Sequence, residues 1–251
     1  MAKYYDINTA MKSFGDNEIP IIIPTFNQIT YAKHMVDQLT ALGIDNFVIS
    51  DNNSTYPPML EWLDKVSEKS RVIHLGYNLG PRVYSEIFEV LAMMPDWFIV
   101  TDPDLIFNKN LPSTFIDDMI EACSYYQFPK IGFAMEIFNE EASSKFFNKE
   151  LVHHWESRYW MNQIGAMRDG SPIYSAAIDT TFALHNTGIL NDEVMRAGGT
   201  TMVRSARIAG NYACEHMGWW QNQPMTEDEF EYYKSVQTWA STENEKKRMG
   251  L

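Results

Sequence analysis

Asp102-Pro103-Asp104 follows, after Thr101, the apolar run Trp97-Phe98-Ile99-Val100. Two carboxylates two residues apart, with a proline bending the chain between them, can both turn toward one hard divalent cation. Mg2+ and Mn2+ prefer oxygen ligands and bridge readily to phosphate oxygens. In isolation the tripeptide also suits an ordinary turn, because Asp bonds to nearby backbone and Pro presets φ. Three further polar clusters give it a chemical setting: Pro24-Thr25-Phe26-Asn27, Asp51-Asn52-Asn53-Ser54, and Gly76-Tyr77-Asn78-Leu79-Gly80-Pro81-Arg82, each after an apolar run of its own. Asp51 can accept a hydrogen bond from a base N–H, and Thr25 and Asn27 can meet a base or ribose. Gly80 lets backbone approach a ligand, and Arg82 can pair with phosphate or brace an acid.

These clusters need elements that bring them together. Ile19-Pro20-Ile21-Ile22-Ile23 is a short continuous apolar run, the mark of a strand buried on both faces. Met35, Leu39 and Leu42 then recur at helical spacing, with Gly43 as a stop. Asn46–Ser50, Arg71–Leu75 and Trp97–Thr101 read as the second, third and fourth strands. Pro57-Pro58 opens a helix through Leu60, Leu63 and Val66, and a third helix carries Ile87, Val90, Leu91 and Met94 on one face. Strands alternating with helices predict a parallel sheet with right-handed crossovers. Ligands of such sheets bind outside the carboxyl ends of the strands, where all four polar clusters fall.

Beyond residue 130 the pattern loosens. Lys130–Glu136 and Ile178–His185 read as strands, Glu140–Val152 as a helix, and Gly198–Gly218 as loop with short elements. The tail from Thr226 reads as a charged helix ending in Asn244-Glu245-Lys246-Lys247-Arg248, a solvated end. The expected organisation is a single domain over 1–251: residues 18–110 hold the ligand-binding half, 111–225 the catalytic half and 226–251 a helical tail.

Bulk composition narrows the classes. The 251 residues are 45% hydrophobic, ample for a core, and carry a net charge of −13, which disfavours nucleic acid and anionic lipid as partners. Seven Trp and thirteen Tyr suit a carbohydrate-handling surface as well as a core. Two distant cysteines, Cys123 and Cys214, fit a reducing cytoplasm rather than a disulfide framework. Met1–Ile19 has no apolar core of signal-peptide type, and no run reaches the roughly 20 residues that span a bilayer. The expectation is a soluble cytoplasmic protein that reaches a membrane, if at all, through a partner.

The segments Ile21–Asn27, Val48–Ser54, Asn78–Arg82 and Asp102–Asp104, in that order, resemble the GT-A-fold glycosyltransferases, closest to the large family-2-like group. The resemblance implies an α/β, Rossmann-like nucleotide-diphospho-sugar transferase fold with a central, mostly parallel sheet flanked by helices. It implies a nucleoside-diphosphate sugar donor, UDP by default, and Mn2+ or Mg2+ as cofactor. Thr25, Asn27, Asp51 and Asn53 would surround the nucleoside, with Asn78 and Arg82 beside the nucleotide. Asp102 would serve ribose or metal and Asp104 metal, with His216 as a further ligand. The chain departs from the family after the third-strand glycine, where Val83-Tyr84-Ser85-Glu86 replaces the usual basic run and leaves Arg82 as the nearby basic candidate.

In an inverting transfer a carboxylate removes the acceptor proton. Asp179, set among apolar residues, is the first choice, with Glu215 and Glu156 as alternatives. Trp155, Tyr159, Trp160, Trp219 and Trp220 could floor a site for a glycan, lipid-linked or protein acceptor; Trp155 and Tyr159, at helical spacing, suit a core equally. His153-His154 reads as a surface pair. Two other readings compete: a sugar nucleotidyltransferase, which would want glycine and a basic side chain after the first strand where Pro24-Thr25-Phe26-Asn27 has neither, and a non-catalytic nucleotide- or sugar-binding protein, against which the intact acidic motif stands.

Overall fold

The structure, a computed structural model, describes residues 4–15, 17–80, 82–178, 181–191 and 203–236. Its first half holds β1 (Tyr4–Tyr5), β2 (Ile21–Thr25), β3 (Phe47–Asp51), β4 (Arg71–His74) and β5 (Trp97–Val100). Ile21, Ile22 and Ile23 are wholly buried, as a strand covered on both faces requires. Pro24 sits inside β2 without breaking a ladder. Ile22 faces β5, accepting from the Thr101 N–H, so Pro24 two residues on faces the same way. The β2–β5 pairing has ended by then, at Ile22 opposite Val100.

Between the strands run α1 (Ile7–Lys12), α2 (Ile29–Ala41) and α3 (Pro57–Val66). In α2, Tyr31, Ala32, Met35 and Leu39 are buried, the i, i+3, i+4 stripe of an amphipathic helix. Gly43, at φ 75°, ends it in the left-handed region that glycine enters freely. The helix expected around Ile87–Met94 is instead two single turns, α4 (Val83–Glu86) and α5 (Phe88–Leu91), with Ile87 extended between them. That break lets Val83 and Tyr84 on one side, and Val90, Leu91 and Met94 on the other, enter one core cluster with Ile22, Val48, Ile73 and Phe98.

The second half adds β6 (Leu105–Phe107), α6 (Phe115–Tyr126), β7 (Lys130–Phe133), α7 (Glu140–Ser143), α8 (Lys149–Glu156), β8 (Gln163–Ala166), β9 (Pro172–Ser175), β10 (Ala183–Asn186), β11 (Ser205–Ile208), β12 (Cys214–His216) and a C-terminal helix, Glu227–Val236. Ten strands form one sheet in the order β1-β4-β3-β2-β5-β10-β7-β11-β9-β8. It is parallel from β1 to β5, as expected, and mixed beyond, because β10 runs antiparallel between β5 and β7. β12 and β6 form a separate antiparallel pair.

One further expectation needs correction. The helix read over Glu140–Val152 is split, because Asn139 and Asn148 each cap a new start by accepting from the N–H three residues on, at Ala142 and Leu151. The stretch read as loop with short elements from Gly198 to Gly218 holds β11 and β12, the first of them buried along its whole length. Asp179 and the Asn244–Arg248 run lie outside the described residues. Among the described residues no helix is long and apolar enough to cross a membrane.

Candidate functional site

β5 delivers the acidic motif at its carboxyl end, and β6 then turns back to pair with β12. Their register sets His216 opposite Leu105, next to Asp104, and the Met217 N–H donates to the Asp104 carbonyl at 2.9 Å. Strand pairing thus carries a histidine from 112 positions downstream to the motif. His216 Nε2 lies 3.3 Å from Asp104 Oδ2. Asp102, Asp104 and His216 offer ligand atoms that all lie within 4.8 Å of one another, each residue half-buried.

Two carboxylates and an imidazole at that spacing fit a divalent cation with a mixed oxygen and nitrogen set. Among the described residues His216 Nδ1 is buried with no hydrogen-bond partner, a cost that a ligand could relieve. Gly218 keeps the space open: a Cβ there would sit 2.6 Å from His216 Cε1 and 2.7 Å from Asp104 Oδ2. The Trp219 ring packs on His216 at 4.7 Å between centroids.

The other polar clusters occupy the carboxyl ends of β2, β3 and β4, neighbours in the parallel part of the sheet. They are stitched to one another. Asn27, at φ 56°, accepts from the Thr55 and Tyr56 N–H groups at 2.7 and 2.8 Å, and its own N–H donates to Ser54 Oγ. Asn27 Nδ2 and Thr25 Oγ1 are buried without hydrogen-bond partners. Asp51 is 1% exposed; it accepts from the Ser54 N–H at 3.1 and 3.2 Å and from His74 Nδ1 at 2.8 Å. Asn52 accepts from the Leu79 N–H, joining the second cluster to the third. Asn53 is exposed at φ 65°. Asn78 is exposed and accepts from the Gly80 N–H. Arg82, half-buried, stands at the start of α4.

The C-terminal helix braces this rim. Buried Glu229 accepts from the Thr30 N–H and hydroxyl, at 2.9 and 2.5 Å, on the first turn of α2, where negative charge also suits the helix dipole. Tyr232 donates to Thr55 Oγ1 and packs on Tyr56.

Among the described residues the other candidate acids are already engaged. Glu156 and Arg207 form a buried ion pair at 2.8 Å, side chains 7% and 4% exposed, with the Tyr159 ring stacked against the guanidinium at 4.0 Å. Glu215 pairs with Lys145 at 2.8 Å. It is next to His216 in β12, so strand alternation points it to the opposite face. Lys145 also lies over the Trp220 ring, 4.6 Å from its centroid. Trp219 packs edge-on against Phe146, and Trp160 lies between Phe138 and Tyr174. Trp155 is 52% exposed and carries Arg158 on its face.

The tertiary structure therefore brings together Asp102, Asp104, His216 and Trp219, and separately joins Asn27 and Asp51 through the loop that carries Asn53. It turns Glu215 and Glu156 toward cations. Gly218, His74 and Glu229 belong to these arrangements and were given no role from sequence; Ser54 was named only as part of its polar cluster. Gly218 adjoins Trp219 and sits two residues from His216, and His74 closes β4 two residues before the polar cluster that begins at Gly76, signals that were available; Glu229 had no local signal.

No protein-family model and no curated protein matches the chain. Among solved structures it is similar to glucosyl-3-phosphoglycerate synthase from Mycobacterium tuberculosis in complex with Mn2+, UDP and glucosyl-3-phosphoglycerate, at 13% identity over 89% of this chain and 79% of that one, TM-score 0.41. It is also similar to residues 1–349 of S. aureus TarS, at 14% identity over 87% of this chain, TM-score 0.47; the match spans 64% of that chain, under two thirds of its length. A cytidylyltransferase from Leptospira borgpetersenii matches at 11% identity over 69% of this chain and 62% of that one, TM-score 0.37. At these values the likenesses carry no functional weight, and the chemistry has to come from the chain's own side chains.

Proposed function

We propose that the chain is a metal-dependent glycosyltransferase of GT-A type, moving a sugar from a nucleoside-diphosphate sugar, UDP favoured, to an acceptor hydroxyl with inversion at the anomeric carbon. The observation that carries the proposal is the grouping of Asp102, Asp104 and His216 within 4.8 Å at the end of a parallel strand whose neighbours carry the other polar clusters. In this reading these three residues hold Mn2+ or Mg2+, and the bound ion supplies charge neutralisation for the departing diphosphate. Thr25, Asn27, Asp51, Asn53, Asn78 and Arg82 frame the nucleotide. Trp219 and Trp220 floor the acceptor site. Asp179 takes the acceptor proton, a role for which Glu156 and Glu215 are poorly placed because each already neutralises a cation. The acceptor is a glycan, a lipid-linked glycan or a protein.

Thermal melting with a panel of nucleoside diphosphates, with and without Mn2+, tests this. Ligands that bind the folded state alone raise its melting temperature. The expected result is stabilisation by one nucleotide only when the metal is present, lost in Asp104→Asn. If no nucleotide shifts melting with metal present, the proposal fails.

A further inference from the structure

We infer that His74 reads the nucleobase and that Asp51 acts through it as a positioning residue. This deepens the nucleoside-diphosphate reading above and rests on it. Asp51 is 1% exposed, and its carboxylate oxygens face the Ser54 N–H and His74 Nδ1. At that burial the carboxylate is covered, and the group it presents to a base at the rim is the imidazole bonded to it. The His74 side chain is 33% exposed. The parallel register of β3 and β4 sets it directly opposite Asp51, at the carboxyl edge where the polar clusters gather.

The geometry fixes what His74 offers. An ionised carboxylate only accepts, so the ring nitrogen facing it, Nδ1, carries the proton. In the neutral ring the other nitrogen, Nε2, then holds a lone pair. The ring cannot readily turn over. Tyr4 packs against it at 4.0 Å between centroids, and the Tyr4 hydroxyl donates to Asp64 on α3. β1, paired with β4 at the sheet edge, holds Tyr4 in place. A fixed acceptor suits a base whose edge presents a ring N–H, as uracil and thymine do between two carbonyls and guanine does beside one. Cytosine and adenine present a ring-nitrogen lone pair there, which would face the Nε2 lone pair.

The same geometry predicts how to invert the preference. In Asp51→Asn the amide oxygen is kept by the Ser54 N–H, so the amide N–H faces His74 Nδ1. That nitrogen must then accept, the proton moves to Nε2, and His74 offers the base a donor.

The test is calorimetric titration of UDP and of CDP, each with Mn2+, into the full chain at pH about 8, where an ordinary histidine is neutral. Imidazole 15N spectra of the wild type and Asp51→Asn accompany it. The wild type is expected to prefer UDP by roughly tenfold or more and to carry its proton on Nδ1. His74→Phe, which keeps the ring against Tyr4, loses the discrimination. Asp51→Asn moves the proton to Nε2 and shifts the ratio toward CDP. Mn2+ binding, followed by electron paramagnetic resonance, stays as in wild type in both, and melting curves check their folding. A wild-type proton on Nε2, equal binding of UDP and CDP, or full discrimination in His74→Phe each overturns the role of His74 while leaving the donor reading in place. Binding of no nucleoside diphosphate by the wild type overturns both.

Discussion

The second half of the chain contributes two kinds of acid partner, and their settings differ. His216 lies beside Asp104, and with Asp102 the three point ligand atoms at one small space. Glu156 and Glu215 each point at a cation of their own, Arg207 and Lys145. Glu215 and His216 are even neighbours in one strand, yet the β6–β12 register gives them opposite faces and opposite fates. Two carboxylates and an imidazole set on one small space suit a multivalent cation, whereas Glu156 and Glu215 are each paired one to one with a cationic side chain. Proximity in sequence to a functional residue is thus no guide to which acid is chemically available.

The largest effect should come from breaking a balanced pair. Arg207→Met leaves Glu156 buried beside no cation, and removing one partner of a buried pair costs about 3–5 kcal/mol. Chemical denaturation should report that loss, while Mn2+ affinity of the folded fraction stays near wild type. Asp104→Asn reverses the pattern: Mn2+ binding, measured by paramagnetic resonance, should weaken on the order of 100-fold, with the melting temperature of the metal-free protein little changed. Equal effects of the two variants on metal binding would erase the distinction between the two kinds of acid.

Gly218→Ala sharpens it further. The added Cβ falls under 3 Å from both Asp104 and His216, so one ligand must move. Mn2+ affinity should drop roughly tenfold with the fold intact; wild-type affinity would mean that the ion sits elsewhere. Glu215→Gln is the mildest change. Its pair with Lys145 is partly exposed, 26% and 36%, and such pairs contribute under about 1 kcal/mol. Metal affinity should be unchanged, and a large loss would assign Glu215 to the metal group after all.

His185 is a third case, a buried base on the same sheet. Burial first, and then Lys130 beside it, hold its pKa well below the ordinary histidine value. As pH falls below about 6.5 the unfolded chain takes up the proton before the folded one does. The stability present above that pH is therefore lost progressively on acidification. Melting temperatures from about pH 7 down to about pH 5 should fall less steeply in His185→Phe, which keeps the stack on Phe98. Identical slopes would remove His185 from the acid response.

Much of the first half was legible because its signals are local. A wholly buried parallel strand needs a continuous apolar run, and Ile21–Ile23 and Phe98–Ile99 have one. The loops after such strands must lie at one edge, which is why Asp51 and Asp102 fall in the same row. His216 was legible through the resemblance, and its place beside Asp104 agrees with it. The bracing of α2 by Glu229, 199 positions away from Thr30, was not legible: nothing near either residue marks the other. The direction of β10 was also hidden, since a strand's apolar pattern reads the same whether its neighbours run with it or against it.

Sequence alone thus determined which residue types sit at the strand ends and which runs must be buried, because periodicity and side-chain chemistry are properties of short segments. Tertiary structure alone decided which of those residues meet: that His216 joins Asp104, that Glu215 does not, and that Asp51 faces His74 rather than open space. Those outcomes depend on strand register, and a shift of one residue turns every side chain to the other face.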